Sequence, residues 1–340
     1  MKMSMRQWIE DITASPERKA FPFMAGTGAS LAGVRFADAL RDAGKQAACV
    51  GALAKRYESA ACITFMDLSV EAEAFGAEAR WMGDETPTIT GRIVTDTVSA
   101  GALEVPRIGA GRTGVYLEAA RLAAECADRP LFGCLIGPFS LAGRLCGMTE
   151  ALLGVHAEQA MLHTVLRKCA GFLEEYARAF KATGVNGVVI AEPAAGLMSP
   201  AQCGEFSSRY VKEIIGAVQD DDFMVILHNC GATPRHVDAM ASTGAMGLHF
   251  GNVADMGEVC AKVPPAVLAC GNLDPARVLK AGSVDEVRVK TLELLHRTAG
   301  FKNFLLSSGC DIPVAAPIEN IDAMFRVLKA YNGKAVSPVS

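Results

Sequence analysis

Eight short apolar runs, each followed by a longer stretch of helical periodicity, are the feature that most constrains the fold of this sequence. Runs that show no alternation with polar residues are typical of parallel strands covered on both faces. Eight such strands alternating with helices predict an α/β fold, a closed (β/α)8 TIM barrel, which the whole chain of 340 residues can form as a single domain, 1–340. The predicted strands are Phe21–Ala25, Cys62–Leu68, Leu131–Gly137, Gly187–Pro193, Phe223–His228, Ala245–Phe250, Ala266–Leu273 and Asn303–Ser308.

The segments between these runs predict helices, with one exception. Apolar residues recur at helical spacing over Val34–Ser59, residues 150–183 predict two helices, and Ser199 followed by Pro200 is a good helix start. The interval between the second and third predicted strands is too long for one helix and is rich in turn residues. It predicts an insertion after strand 2, at about residues 80–128, that forms a lid or hairpin.

A His-x-Cys pair ends the fifth predicted strand. In a strand, residues two apart point to the same side, so His228 and Cys230 can converge on one metal ion, and Gly231 allows the backbone to turn directly afterwards. The last predicted strand is likewise followed by a glycine and a cysteine, Cys310. Imidazole and thiolate ligands favour zinc. Buried cysteines commonly serve as small apolar core residues, so these residues by themselves indicate a zinc site and a core role about equally.

Other polar residues also stand at the ends of predicted strands, where barrel enzymes carry their catalytic groups. Asp67, Glu192, Asn272 and Asp274 are of this kind. Asp67 and Glu192 are candidate site acids, although a carboxylate in the first turn of a helix is common for reasons of the helix dipole alone. His249 ends a strand on an apolar run, which is more typical of a core or supporting histidine. The remaining histidines lie on predicted helices and are expected at the surface: His156, His163, His236 and His296.

Composition excludes several classes of partner. The formal net charge is −4 and the isoelectric point is near 5.9, with acidic and basic residues interspersed, so neither nucleic acid nor an anionic membrane is expected as a partner. No apolar run approaches the roughly 18 residues that span a bilayer. Eleven scattered cysteines and a polar beginning of the chain predict a reduced, cytoplasmic protein.

Five motifs together resemble the uroporphyrinogen decarboxylase superfamily, and within it the zinc-dependent, corrinoid-linked methyltransferases. The similarity extends over about residues 20–330, and the combination of motifs is specific although each alone is not. The motifs are GPFSLA at 137–142, EPAAG at 192–196 with Ser199-Pro200, LHNCG at 227–231, GNLDP at 271–275, and SGCDIP at 308–313 with Glu319-Asn320.

This resemblance implies that His228, Cys230 and Cys310 bind catalytic Zn²⁺. Three protein ligands leave one position for a substrate thiol such as coenzyme M, which the metal deprotonates to a nucleophile for a methyl group. The methyl group would come from a methylcorrinoid, and no D-x-H-x-x-G motif occurs in the chain, so a separate corrinoid carrier protein is the expected partner. Glu192 and Asp67 are the expected catalytic carboxylates. Cofactor-binding roles are expected for motif residues Gly137, Pro138, Asn272 and Asp274.

Three alternatives remain open from the sequence. A demethylase that moves methyl groups from a methoxy or methylamine donor to the corrinoid would use the same barrel. A uroporphyrinogen decarboxylase needs cationic side chains near strand 1, and no arginine lies between Met24 and Val34. A non-catalytic zinc protein would ordinarily supply all four ligands, whereas the sequence offers three strong ones.

Overall fold

Seven parallel strands form the main sheet of the computed structural model, which describes residues 4–335. Its strand order is β1-β4-β5-β6-β7-β8-β9, so each strand pairs with the next one along the chain apart from a separate two-stranded hairpin, β2–β3. Helices alternate with these strands. The strands are β1 Cys62–Ile63, β2 Glu78–Arg80, β3 Thr88–Thr90, β4 Leu131–Ile136, β5 Gly187–Ala191, β6 Met224–Asn229, β7 Gly247–Phe250, β8 Leu268–Leu273 and β9 Phe304–Ser308.

The strands of the main sheet are short, from two to six residues each. Every residue of β4 to β9 is buried, as the uniformly apolar runs predict for a parallel sheet with both faces covered. Neighbouring strands pair with Ala191 opposite His228 and His228 opposite His249. The carboxyl ends of these strands are therefore level, and the side chains that follow them share one edge of the sheet.

Sixteen α-helices surround the sheet in the described part of the chain. Residues 150–183 do form parts of two helices, and the Ser199 side chain caps the helix that begins at Pro200. The helices are α1 Met5–Ala14, α2 Gly28–Ala32, α3 Phe36–Ala39, α4 Ala43–Arg56, α5 Val70–Ala74, α6 Thr97–Ala102, α7 Thr113–Cys126, α8 Pro138–Cys146, α9 Met148–Ala157, α10 Gln159–Ala182, α11 Pro200–Cys203, α12 Arg209–Val218, α13 Val237–Ala241, α14 Met256–Lys262, α15 Val284–Arg297 and α16 Ile318–Ala335.

The first predicted strand, Phe21–Ala25, is wrong as a strand. Ala20 makes an isolated parallel bridge to Leu306 of β9, and the Phe21 amide donates to the Leu306 carbonyl at 2.8 Å. Pro22 then has no N–H to donate, and a 3₁₀ turn begins at Ala25. Among residues 4–335 the sheet therefore has seven strands rather than the predicted eight.

The second predicted strand is shorter than expected. It was predicted over Cys62–Leu68, but the ladder of β1 ends at Ile63, with one further hydrogen bond from the Thr64 amide to the Phe132 carbonyl at 2.8 Å. The chain beyond it turns into α5. The interval that follows, residues 75–130, contains the β2–β3 hairpin and helices α6 and α7. No helix within residues 4–335 combines the length and the apolar character that crossing a bilayer requires.

Candidate metal centre

Three residues from two separate segments of the sequence meet at the carboxyl edge of the sheet. His228 lies near the end of β6, Cys230 follows that strand directly, and Cys310 lies two residues after β9. One potential ligand atom from each lies within 4.8 Å of the others, which is close enough for a single metal ion to contact all three. Within the described residues this is the only such cluster of His, Cys, Asp or Glu.

The imidazole of His228 has one ring nitrogen in use and one without a partner. Its side chain is buried, and Nδ1 lies 2.8 Å from Nδ1 of His249 on the neighbouring strand. Its Nε2 is buried and has no hydrogen-bond partner. A buried polar atom left without a partner costs about 1–3 kcal/mol, so an atom in that state is a candidate for binding a ligand. A metal ion at Nε2 removes the discrepancy.

His249 is held from three sides. Its Nε2 lies 2.9 Å from the hydroxyl of Ser307, and that hydroxyl donates to the carbonyl of Phe21 at 2.6 Å. The ring of Phe23 stacks on His249 at 4.0 Å between centroids and contacts His228 edge-on at 5.5 Å. Burial, followed by the proximity of His228, lowers the pKa of His249 well below its usual value, so the ring is neutral.

The two cysteines behave as one titrating pair. A hydrogen bond from Cys310 to the sulfur of Cys230 lowers the pKa of Cys230, and the same contact raises the pKa of Cys310. The first proton therefore leaves the pair easily, whereas the second leaves only when a positive charge replaces it. A divalent cation at this position supplies that charge, and metal binding is expected to release the remaining proton.

Glycines allow the loops that carry the cysteines to approach each other closely. A Cβ atom at Gly251 would overlap the backbone carbonyl of Cys230, and one at Gly309 would lie 2.6 Å from the amide nitrogen of Asn252. The loop after β7 therefore packs directly against the backbone next to Cys230 and against the backbone next to Cys310. These contacts fix the separation of two ligands that lie 80 residues apart in the sequence.

Glu192 lies at the end of β5 but binds the start of a helix. Its carboxylate accepts hydrogen bonds from the amides of Phe139 and Ser140, at 2.9 and 2.6 Å, and from the Ser207 hydroxyl at 3.2 Å. These amides belong to the first turn of α8, which favours an anion, and burial nonetheless raises the pKa of Glu192. Gly137 leaves room for this carboxylate, because a Cβ there would overlap it.

The same contacts account for the GP pair in the first of the five motifs. Pro138 occupies the first position of α8, where its missing N–H costs nothing. Gly137 and Pro138, predicted to bind the cofactor, thus form the strand-to-helix turn that receives Glu192. Glu192 is not part of the cluster formed by His228, Cys230 and Cys310.

Asp67 forms a buried ion pair that the sequence did not predict. Its carboxylate accepts from Arg112 at 2.5 Å, from the Tyr116 hydroxyl at 3.0 Å, and from the amide and hydroxyl of Ser69. Arg112 also donates to Glu73 at 2.7 Å and lies over the ring of Trp81. Arg112 comes from the segment predicted as an insertion. No local signal in the sequence distinguishes it from the other arginines there.

Asn272 and Asp274 fasten neighbouring loops. The Asn272 amide donates to the carbonyls of Gly251 and Ala254 at 2.8 and 2.7 Å. Asp274 accepts from the amides of Ala276 and Arg277, and from the side chain of Asn252 at 3.0 Å. The GNLDP motif thus anchors the loop after β7, which is the loop that packs against Cys230.

Glu71 and Asp311 are two acids in unusual environments. Glu71 is buried, accepts from the Ile136 amide at 2.9 Å through Oε1, and has no partner for Oε2. Burial raises the pKa of Glu71 to about 8 and that of Asp311, the residue after Cys310, also to about 8. Both are therefore protonated for a large part of their population at neutral pH, which sequence inspection alone could not reveal.

The four histidines predicted to lie at the surface differ in their environments. His236 is a correction: it is buried, and its Nε2 lies 2.9 Å from the Met198 carbonyl. It lies in a short 3₁₀ turn, Pro234–His236, and its partner Met198 follows shortly after the EPAAG motif. This partner is distant in the sequence. His163, half-buried, stacks on Phe206.

Fold and site together define an α/β protein whose parallel strands carry a His-Cys-Cys cluster at their carboxyl ends. The chain belongs to the uroporphyrinogen decarboxylase (URO-D) family, whose profile matches residues 2–331. It is 30% identical over 274 residues to methylcobamide:CoM methyltransferase MtbA of Methanosarcina acetivorans, covering 78% of both chains. It is 27% identical over 287 residues to a uroporphyrinogen decarboxylase of Legionella pneumophila, covering 81% of this chain and 79% of that one.

A solved structure supports the fold. A methyltransferase from Methanosarcina mazei superposes with a TM-score of 0.85 and 21% sequence identity, covering 97% of this chain and 99% of that one. These findings confirm the resemblance to the URO-D superfamily and to its methyltransferase members that the five motifs indicated.

Proposed function

We propose that this protein is a corrinoid-dependent methyltransferase that moves a methyl group between a methylcorrinoid and the sulfur of a small thiol such as coenzyme M. The observation that carries the proposal is the cluster of His228, Cys230 and Cys310, with one histidine nitrogen buried and free to bind. The similarity to methylcobamide:CoM methyltransferase MtbA supports the same reaction class. The corrinoid would be carried by a separate protein.

The donor set fits zinc. One imidazole nitrogen and two cysteine sulfurs are ligands that zinc prefers over magnesium or calcium, and a set of three is typical of catalytic rather than structural sites. When bound, zinc would supply a Lewis acid that keeps a substrate sulfur deprotonated at neutral pH. The protein holds the two cysteines as a pair that already favours one thiolate and orients the histidine nitrogen toward them.

Glu192, Asp67 and the GP and GNLDP motifs would act by positioning. Glu192 holds the first turn of α8 at the end of β5, Asp67 holds Arg112, and Asn272 and Asp274 hold the loop against Cys230. We propose this positioning role in place of the catalytic role predicted from the sequence for Glu192 and Asp67 and of the cofactor-binding role predicted for Gly137, Pro138, Asn272 and Asp274. We also propose that the segment at Ala20 and Phe21, which bonds to β9 on one side and to the amide of Ala60 beside β1 on the other, closes the sheet into a barrel without forming a full eighth strand.

Two other functions are less well supported. Uroporphyrinogen decarboxylases are also relatives of this chain, but residues 24–34 contain no arginine and form a 3₁₀ turn and a short helix rich in small residues. A demethylase acting on a methoxy or methylamine donor would need no thiol substrate. The unpartnered nitrogen of His228 and the coupled cysteines favour a metal site that binds a substrate thiol. They do not distinguish whether the corrinoid or the other substrate is the methyl donor.

The proposal is tested with methylcobalamin as donor and 2-mercaptoethanesulfonate (coenzyme M) as acceptor. Loss of the methylcobalamin absorption, formation of the thioether and dependence on added zinc are expected for the wild-type protein. Cys310→Ala should abolish the transfer, whereas Cys126→Ala, which alters an exposed cysteine on α7, should not. If thiols leave methylcobalamin unchanged while a methylated amine or ether methylates cob(I)alamin, the protein acts on the donor side and the proposal is wrong.

A further inference from the structure

We propose that His249 and Ser307 are positioning residues that fix His228 in the tautomer protonated on Nδ1, so that the Nε2 lone pair faces the metal. The inference rests on the proposed function only in taking the cluster of His228, Cys230 and Cys310 as a metal site. It adds two residues that none of the five motifs and no predicted ligand set includes.

The direction of the hydrogen bonds is settled at Ser307. A serine hydroxyl has a single proton, and a backbone carbonyl can only accept. Because the Ser307 hydroxyl donates to the carbonyl of Phe21 at 2.6 Å, it can only accept at its 2.9 Å contact with His249. Nε2 of His249 therefore carries a proton.

A neutral imidazole carries one N–H, so the charge of His249 decides the next step. His249 is fully buried, its ring is in contact with His228, Phe23, Ser307 and the backbone of Ser308, and no carboxylate forms a hydrogen bond or ion pair with it in the described structure. Burial without a counter-ion keeps the ring neutral. Its proton is on Nε2, so its Nδ1 is an acceptor.

His228 must then donate across the contact between the two rings. The two Nδ1 atoms lie 2.8 Å apart, and with an acceptor on the His249 side the proton belongs to His228. The other nitrogen of His228, Nε2, is the buried atom without a hydrogen-bond partner, and it faces the two cysteine sulfurs, so its lone pair is the one that remains for a metal. The chain of hydrogen bonds that begins at the Phe21 carbonyl and passes through Ser307 and His249 thus ends at Nδ1 of His228. It leaves Nε2, the nitrogen that a metal needs, without a hydrogen-bond partner.

The four groups come from parts of the fold that are packed against one another. His228 and His249 are paired residues on β6 and β7, Ser307 lies on β9, and the Phe21 amide is hydrogen-bonded to β9 as well. Phe23 covers the face of the His249 ring. Rotation of either imidazole would break a hydrogen bond and the ring stacking together, so the tautomer and the ring orientation are fixed before metal arrives.

A neutral acceptor in this position has an electrostatic consequence. The histidine ligands of metal sites often donate to carboxylates, which add a negative charge beside the metal. Two cysteine thiolates already balance a divalent cation here, so a carboxylate behind His228 would disfavour a further anionic ligand. A neutral His249 orients His228 without this charge and so favours the binding of a third thiolate, the anion that the proposed reaction requires.

The first test is the tautomer itself, measured in protein labelled with ¹⁵N-histidine, metal-free and zinc-loaded. We expect ¹⁵N shifts and long-range ¹H–¹⁵N couplings to show His228 protonated on Nδ1 and His249 protonated on Nε2 in both states. Spectra of His228→Ala and His249→Gln assign the two signals. A His228 without a proton on Nδ1 in either state, or a doubly protonated His249, overturns the inference whatever the protein's activity.

The second test is zinc affinity, measured by competition with a chromophoric chelator. His249→Phe keeps the ring against Phe23 but removes the acceptor, and an affinity 10–100-fold weaker is expected, as for other partners of metal-bound histidines. His249→Gln can accept from His228 and donate to Ser307, so it should restore most of the affinity. Wild-type affinity in His249→Phe would overturn the inference, as would an equal loss in both variants.

The inference and the proposed function fail in different ways. If His228 has the stated tautomer and His249→Phe weakens zinc binding, yet no thiol is methylated, the positioning role of His249 and Ser307 stands and the proposed reaction is wrong. If thiol methylation proceeds while the tautomer of His228 differs, the proposed reaction stands and the positioning role of His249 and Ser307 is wrong.

Discussion

Replacing Arg112 with methionine tests whether Asp67, a predicted catalytic residue, has a structural role. Both side chains are almost fully excluded from solvent, with exposed fractions of 8% for Arg112 and 0% for Asp67, and they lie 2.5 Å apart. Methionine fills a similar volume without charge, so the variant leaves the Asp67 carboxylate buried with only Ser69 and Tyr116 as partners. Removing one member of a buried pair typically costs about 3–5 kcal/mol, and we expect a loss of that size in the free energy of unfolding.

The assay is urea denaturation at pH 7 followed by far-ultraviolet circular dichroism and tryptophan fluorescence. Trp81 lies beside Arg112, so its fluorescence also reports on local loosening. The matched control is Arg121→Met on the adjoining helix α7. Arg121 pairs with Glu118 and Glu125 in solvent, and such pairs are worth about 0.2–1 kcal/mol.

A double-mutant cycle separates the charge effect from lost packing. Asp67→Asn in the Arg112→Met background removes the unpaired charge, so the double variant should be more stable than Arg112→Met alone. A loss below about 1 kcal/mol for Arg112→Met, equal to that of the control, would refute the reasoning that this ion pair stabilises the segment between β1 and α5. Asp67 would then be better explained by a role in the site.

Three further predictions concern the buried acid Glu71, the glycine that packs against Cys230, and the cysteine Cys310. The pKa of Glu71 is raised to about 8 by burial, so the folded state retains a proton that the unfolded chain loses near pH 4.5, and stability should fall as pH rises between these values. Glu71→Gln should remove that dependence, and the difference between the two proteins in unfolding free energy at pH 9 should reach up to about 5 kcal/mol; parallel pH profiles would contradict it. Gly251→Ala should destabilise the protein by about 1–3 kcal/mol and speed zinc loss to a chelator, because the new methyl group overlaps the Cys230 carbonyl. The control Gly171→Ala, in an open part of α10, should stabilise the protein slightly, and equal effects of the two substitutions would argue against this packing. Cys310→Ala should reduce zinc content, measured by atomic emission, from about one ion per chain to near zero with Cys126→Ala unchanged, since two ligands hold zinc far less tightly than three; undiminished zinc would exclude Cys310 as a ligand.

The sequence by itself determined the alternation of strands and helices and the three side chains of the cluster. Apolar runs without alternation that recur between helical segments are typical of a parallel sheet, and parallel strands bring their carboxyl ends to one edge. His228, Cys230 and Cys310 were therefore predictable as neighbours, because each follows such a run and carries a metal-binding atom. The His-x-Cys spacing places both side chains on one side of a strand, and this local property does not depend on how the rest of the chain folds.

The tertiary structure alone decided what the other polar residues do. Glu192 and Asp67 look alike in the sequence, yet one carboxylate binds the amides that begin α8 and the other binds Arg112, which lies 45 residues away. The partners of His249 are a serine on β9 and a carbonyl near the start of the chain, 286 residues apart from each other, so no local pattern connects them. Within residues 4–335 seven strands formed instead of the predicted eight, because Pro22 has no N–H and because the hydroxyls of Ser307 and Ser308 bond to the Phe21 carbonyl and the Phe23 amide in place of a ladder. Hydrogen-bond partners and burial depend on which distant segments pack together, and the periodicity of a sequence carries no information about that choice.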